Sequence, residues 1–262
     1  MACLISKIAD VTQGDTMEGP AEGPARGRGS TRGGPADAPG SGSRRLIELS
    51  HQIRHGMVTY PGLPGPELSD YLPREASPAR YGPGTEFHIG RISMVANTGT
   101  YLDSPFHRFA GATDVAGLPL DRVADLDGVL VRVGVGRRAI DRDALASYEV
   151  RGRAVLVHTG WDRYWASERY GTGSPFLTAA AAEWLVQQQA ALVGIDSVNI
   201  DDTSSPARPV HTALLAAGIP IVEHLCGLAQ LPPSGFRFHA APPQVVGIGT
   251  FSVRADAVVA DG

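Results

Sequence analysis

Asp103 and His107 stand four residues apart in the segment NTGTYLDSPFH, residues 97–107, and His211 and Glu223 follow in the last third of the chain. Imidazoles and carboxylates hold a divalent cation without help from thiolates, and histidine moves protons near neutral pH. Three such ligands with a fourth position left to water make the minimum pattern of a catalytic metal site. Taken singly, most of these residues have an ordinary explanation. A lone histidine is satisfied by one hydrogen bond, and an aspartate beside proline closes a turn on its own backbone. Glu223 resists that treatment. It lies inside the apolar run PIVEHL, residues 220–225, and a carboxylate does not enter a core without a partner. His88 and His158 carry no comparable signal, and regular strand alternation puts His224 on the opposite face from Glu223, outside the site.

Such groups need elements to gather them. RLIELSHQI, residues 45–53, alternates apolar and polar side chains like a half-buried strand and runs into the Pro/Gly-rich loop TYPGLPGPE, which carries Tyr60. EFHIGRISMVAN has strand periodicity and ends on the motif. Further strands are expected at residues 128–135, 154–161, 191–200, 220–225 and 245–260. TAAAAEWLVQQQ reads as a helix capped by Thr178, and VHTALLAAG as a shorter one ending at Gly218. Strand-rich early segments followed by alternating strands and helices predict an α/β domain with a mixed sheet.

The chain has 262 residues and a net charge of −4. From Gly14 to Ser43 it is almost wholly Gly, Pro, Ala, Ser, Arg and acids. Such a stretch cannot bury enough apolar surface to offset its ordering entropy, so residues 1–43 are expected to be a disordered tail and 44–262 one folded domain. The arginines of the tail are interspersed with acids and lack aromatics, and the balance of charge gives no reason to expect nucleic acid. The opening MACLISKIAD lacks signal-peptide architecture and no run spans a bilayer, which points to a soluble cytoplasmic protein. Cys3 and Cys226 are too few for a disulfide framework or a thiolate zinc site, so any metal falls to His, Asp and Glu. A serine-nucleophile elbow and a dinucleotide-binding glycine pattern are both missing.

NTGTYLDSPFH resembles the signature H-x-G-T-H-x-D-x-P-x-H of the cyclase family, which includes bacterial kynurenine formamidases and isatin hydrolases. LIELSHQI with TYPG, VLVHTGW, LVGIDSVNID, HTALLAAGIPIVEHLCGL and GIGTFSVRA follow in the family's order. The resemblance covers essentially all of residues 45–257. It implies a swivelling β/β/α domain, assembled as a homodimer or homotetramer and acting on a small-molecule substrate.

The resemblance also implies roles. Asp103, His211 and Glu223 match metal ligands, and His107 matches the general acid/base. The two leading histidines of the signature are replaced by Asn97 and Tyr101. Neutral Asn is a poor ligand for a zinc-like ion, and Tyr binds well only as phenolate. A binuclear centre is therefore not expected; one divalent metal, zinc or manganese, fits Asp103, His211 and Glu223, and a metal-free site stays open. Asn97 and Tyr101 can instead orient substrate, with Tyr101 assisting catalysis beside Asp103 and His107, and Tyr60 and Phe106 are expected against the substrate. Three functions remain: a metal-dependent hydrolase of a small amide, lactam, lactone or ester; a metal-independent acid/base cyclase or dehydratase; and a non-catalytic small-molecule-binding member. Kynurenine-type substrates are not favoured, because the differing residues are those that build the formamidase metal centre.

Overall fold

Val-, Ile- and Leu-rich runs become strands buried on both faces, and shorter alternating runs become strands at the margins. A computed structural model describes residues 43–134 and 136–260, which fall within one compact unit, Ser41–Gly262. The tail expected over 1–43 lies outside the described residues apart from Ser43, as does Val135 at the end of the run 128–135.

The strands in chain order are β1 (Arg44–Glu48), β2 (Glu67–Leu72), β3 (Ile89–Ser93), β4 (Tyr101–Asp103), β5 (Leu126–Arg132), β6 (Ala139–Ile140), β7 (Ala154–His158), β8 (Phe176–Leu177), β9 (Leu192–Ile195), β10 (Ile221–Glu223), β11 (Ser234–His239), β12 (Thr250–Ser252) and β13 (Asp256–Ala260). The helices are α1 (Pro78–Tyr81), α2 (Ala179–Gln187) and α3 (Pro209–Ala216). Nine strands make one sheet in the order β1-β13-β11-β5-β7-β9-β10-β4-β12. β5, β7, β9 and β10 run parallel, and the flanking pairs are antiparallel, so the sheet is mixed as expected.

Alternation divides the central strands between two cores. Leu130, Leu156 and Leu192 join Ile47, Leu102, Val222, Phe236 and Phe238 on one side. Val129, Val131, Val155, Val157, Val193 and Ile195 face the other side, against Leu185 of α2 and Val210, Leu214 and Leu215 of α3. The Thr178 hydroxyl caps α2 by accepting the Ala181 N–H at 3.2 Å. α3 starts on Pro209, whose missing N–H costs nothing at a first helical position, and ends before Gly218 at φ 70°.

The run 245–260 divides into β12 and β13, which lie towards opposite ends of the strand order. Only Val253–Ala255 joins them, and an extended chain covers about 3.5 Å per residue, so the sheet must curl until its two margins meet. Ser50 marks the meeting: its hydroxyl donates to the Val253 carbonyl at 3.1 Å and accepts the Ala255 N–H at 2.6 Å.

β3 is a strand as expected, but it pairs with β2 in a separate exposed hairpin. The motif itself contributes β4 to the main sheet. β11 was not expected, although Phe236 and Phe238 alternate with Arg237; prolines on both sides make that stretch look like loop. Among the described residues no helix is long and apolar enough to cross a membrane.

Candidate active site

In the antiparallel pair of β4 and β10, Asp103 lies opposite Ile221 and Tyr101 opposite Glu223. Directly opposed residues share a face. Leu102 and Val222 point into one core, while Ile221 belongs to the other, where α3 packs. The register therefore turns Tyr101, Asp103 and Glu223 together towards the first turn of α3, which carries His211. On the other flank of β4, Thr250 of β12 lies opposite Asp103. A short 3₁₀ turn, Pro105–His107, lifts His107 beside them. Gly249 makes this possible: a Cβ there would stand 2.3 Å from the His107 backbone nitrogen.

His211 is the centre of the charge arrangement. Its Nδ1 lies 2.6 Å from Asp201 Oδ2, and Asp201 also accepts the N–H groups of Val210 at 2.8 Å and His211 at 3.0 Å, fixing the start of α3. The opposite nitrogen, Nε2, is 3.6 Å from Asp103 Oδ2 and 3.6 Å from Glu223 Oε1. Asp103 Oδ1 accepts the Thr250 hydroxyl, whereas Oδ2 is buried with no hydrogen-bond partner among the described residues. The Thr250 oxygen lies 2.8 Å from His107 Nδ1. Since the hydroxyl has given its one proton to Asp103, His107 Nδ1 carries the donor, and in the neutral ring the acceptor nitrogen is Nε2. Glu223 accepts the Ile200 N–H at 2.7 Å on Oε1, and on Oε2 the Tyr101 hydroxyl at 2.6 Å and the Asn199 amide at 3.4 Å.

Burial opposes a charge on His211, but the approaches of Asp103 and Asp201 and the charge of Glu223 outweigh it and raise the imidazolium to about 10. Burial likewise opposes ionisation of Asp103, and the approach of His211 with the charges of His107 and His211 holds its carboxyl below the usual range. Burial pushes Glu223 up to about 7, with His211 opposing and Asp103 adding to the shift. Burial, then the charges of Glu223 and Asp103, keep the Tyr101 phenol well above its ordinary value, so it remains O–H.

The donor set fits one cation. Asp103, His107 and His211 each offer a ligand atom within 4.8 Å of the others. The unpartnered Asp103 oxygen and the paired His211–Asp201, which presents Nε2 outward, are the arrangement a borderline metal such as zinc takes. Glu223 borders the same space through its approach to His211. A phenolate at Tyr101 is closed off because its proton is committed to Glu223.

A cavity of about 350 Å³ opens over this group, lined by Tyr60, Asn97, Tyr101, His107, His211 and Glu223. Asp103 is fully buried beneath it. Phe106, half-buried, is not among the lining residues. Asn199 and Arg208 also line the cavity and were not foreseen from the sequence, nor was Asp201. The acids of NIDD, in the loop that leads into α3, were the available signal for Asp201. His224 is not among the lining residues, but the alternation expected to turn it away from Glu223 fails. β10 stops at Glu223, and His224 takes a left-handed φ of 56°, which breaks the alternation and brings its Nε2 to 3.3 Å from the Tyr101 hydroxyl.

Residues 47–202 match the family model described as putative cyclase, a span that includes Asp103, His107 and Asp201 and stops before His211 and Glu223. The kynurenine formamidase of Erythrobacter litoralis is 27% identical over 203 residues, covering 78% of this chain and 88% of that protein. That of Geobacillus thermodenitrificans is 29% identical over 177 residues, covering 64% and 78%. Among solved structures, a potential metal-dependent hydrolase with cyclase activity superposes with a TM-score of 0.69 at 24% identity, covering 84% of this chain and all of that one. Isatin hydrolase A from Labrenzia aggregata, bound to benzyl benzoate, gives 0.71 at 20%, covering 83% and 94%. Both share the overall fold.

Proposed function

The chain belongs to the putative cyclase family, and on that footing we propose that it is a metal-dependent hydrolase opening the C–N bond of a small amide or lactam. The observation that carries this is the buried, unpartnered Asp103 Oδ2 facing His211 Nε2, with Glu223 at the same distance on the other side. Asp103, His211 and Glu223 would hold one divalent cation, zinc or manganese, which would supply Lewis-acid polarisation of a carbonyl and acidify water. His107, at the mouth with its Nε2 free, takes the proton of the attacking water and returns it to the leaving nitrogen. Asn97 and Asn199 orient the carbonyl, and Tyr60 lies against the substrate. Arg208 on the rim suits the carboxylate that opening a lactam creates. The curated relatives named kynurenine formamidase and the structural neighbours named isatin hydrolase support an amide over an ester.

Protein purified without chelator should contain about one zinc or manganese per chain, open isatin or an aryl formamide, and lose that turnover on chelation. Turnover that survives removal of all metal overturns the hydrolase mechanism in favour of acid/base chemistry on His107 and Asp103 alone, a reading favoured by the placement of His211 Nε2 between the two carboxylates, 3.6 Å from each. We further propose a homodimer or homotetramer, built through the exposed Tyr71, Phe87, Ile89 and Ile92 around the β2–β3 hairpin. We also propose a cytoplasmic location, in keeping with a Cys226 thiol that pairs with no cysteine among the described residues.

A further inference from the structure

Behind Tyr101 lies a second buried imidazole that the chemistry above does not use. The His224 ring is wholly buried, with Nδ1 2.8 Å from the Tyr170 hydroxyl and Nε2 3.3 Å from the Tyr101 hydroxyl. Trp165 meets both neighbours edge to face, at 5.1 Å from the Tyr170 ring and 5.7 Å from His224, and stacks flat on His51 at 3.8 Å. Non-glycine residues rarely adopt the left-handed conformation that His224 holds, and such strain persists only where the surroundings enforce it. Here they do: the Thr100 hydroxyl donates to the His224 carbonyl at 2.6 Å, and the His224 N–H donates to Ser197 at 3.2 Å.

The protons in this chain are few enough to be placed. A hydroxyl 2.6 Å from a carboxylate oxygen is at the length of a charge-assisted bond, so the Tyr101 proton belongs to Glu223. The Tyr101 oxygen can then only accept, and His224 Nε2 must carry the hydrogen. A neutral imidazole has one, which leaves Nδ1 to accept from Tyr170. The order runs Tyr170 to His224 to Tyr101 to Glu223, with the Ile200 N–H closing the far oxygen at 2.7 Å.

Resting on the hydrolase reading, we propose that His224 and Tyr170 are positioning residues: they orient the Tyr101 hydroxyl so that its proton serves Glu223, and so hold the Glu223 carboxylate aimed at His211. In consequence Tyr101 has no proton left for a substrate carbonyl, and the polarising of that carbonyl falls to other groups.

Nitrogen-15 histidine spectra of the full chain, with His224 assigned by its loss in His224→Gln, test the order. The wild type should carry the ring proton on Nε2. Tyr170→Phe removes one buried oxygen and should shift Nδ1 to the position of an unbonded acceptor. The same variant should lower kcat on the amide that the wild type opens about tenfold, with KM within twofold and the melting temperature held within a few degrees. His224→Gln, which can still present an N–H to Tyr101, should keep more of kcat than His224→Leu. A ring proton on Nδ1 in the wild type overturns the proposal, as does Tyr170→Phe with unchanged histidine signals or unchanged kcat. A wild type that opens no amide sinks the hydrolase reading instead, and the spectra still decide whether the hydrogen-bond order stands.

Discussion

At His211 a proton and a cation compete for the same nitrogen, because Nε2 faces Asp103 and Glu223 while Asp201 holds Nδ1. His211 and Glu223 both have folded-state values raised above their ordinary ones, to about 10 and about 7. A raised value stabilises the fold at low pH and loses that contribution as pH climbs through it. The melting temperature of metal-free protein should therefore fall in two stages, through pH 7 and again towards pH 10. Zinc should flatten the second stage, since it takes the place of the proton, and its affinity should rise with pH over that range. Asp201→Asn leaves the ligand in place but loosens its tautomer, and a titration should show metal affinity down roughly 10- to 100-fold. His107→Gln separates two roles: metal content should stay at the wild-type level while kcat falls roughly 10²- to 10⁴-fold. Loss of the metal as well would make His107 a ligand, consistent with its nearness to Asp103 and His211.

Elements of three residues do much of the positioning, and this limits what could be read from sequence. Glu223 stood out as a charge in an apolar run, and its burial in β10 follows from that. Asp103 and His107 stood out through the motif. β4 did not, because YLD is too short to show a period of two, and its place between β10 and β12 depends on residues more than 100 positions away. The contact of His224 with Tyr101 was not legible for a related reason: alternation holds only while the strand lasts, and a positive φ just past the strand end leaves no trace in residue type. Gly249 shows the same dependence on tertiary contact. An alanine there drives a Cβ into the His107 backbone, so Gly249→Ala should cost roughly 1–3 kcal/mol by denaturant unfolding and displace Thr250 from His107. Activity should fall more steeply than stability, because the same shift disturbs the hydrogen bonds of His107 and Asp103.

For the molecule as a whole, the α/β class and the mixed sheet were legible from the spacing of apolar runs, whereas the curl was not, since it depends on which strands become neighbours. The proposed assembly is tested on the hairpin: Ile92→Glu should move the chain to a smaller species in size-exclusion chromatography with its melting curve little changed. The short link Val253–Ala255 has a wider effect. The Thr100 carbonyl accepts the Val253 N–H at 2.9 Å, and the Thr100 hydroxyl accepts the His51 N–H at 3.0 Å, one residue before Tyr101. Early and late portions of the polypeptide are thus stitched to one buried threonine, next in the chain to Tyr101 of the reaction chamber. Occupancy of that chamber should tighten the seam, and amide exchange at His51 and Val253, some two hundred residues apart, should slow in concert when zinc is added.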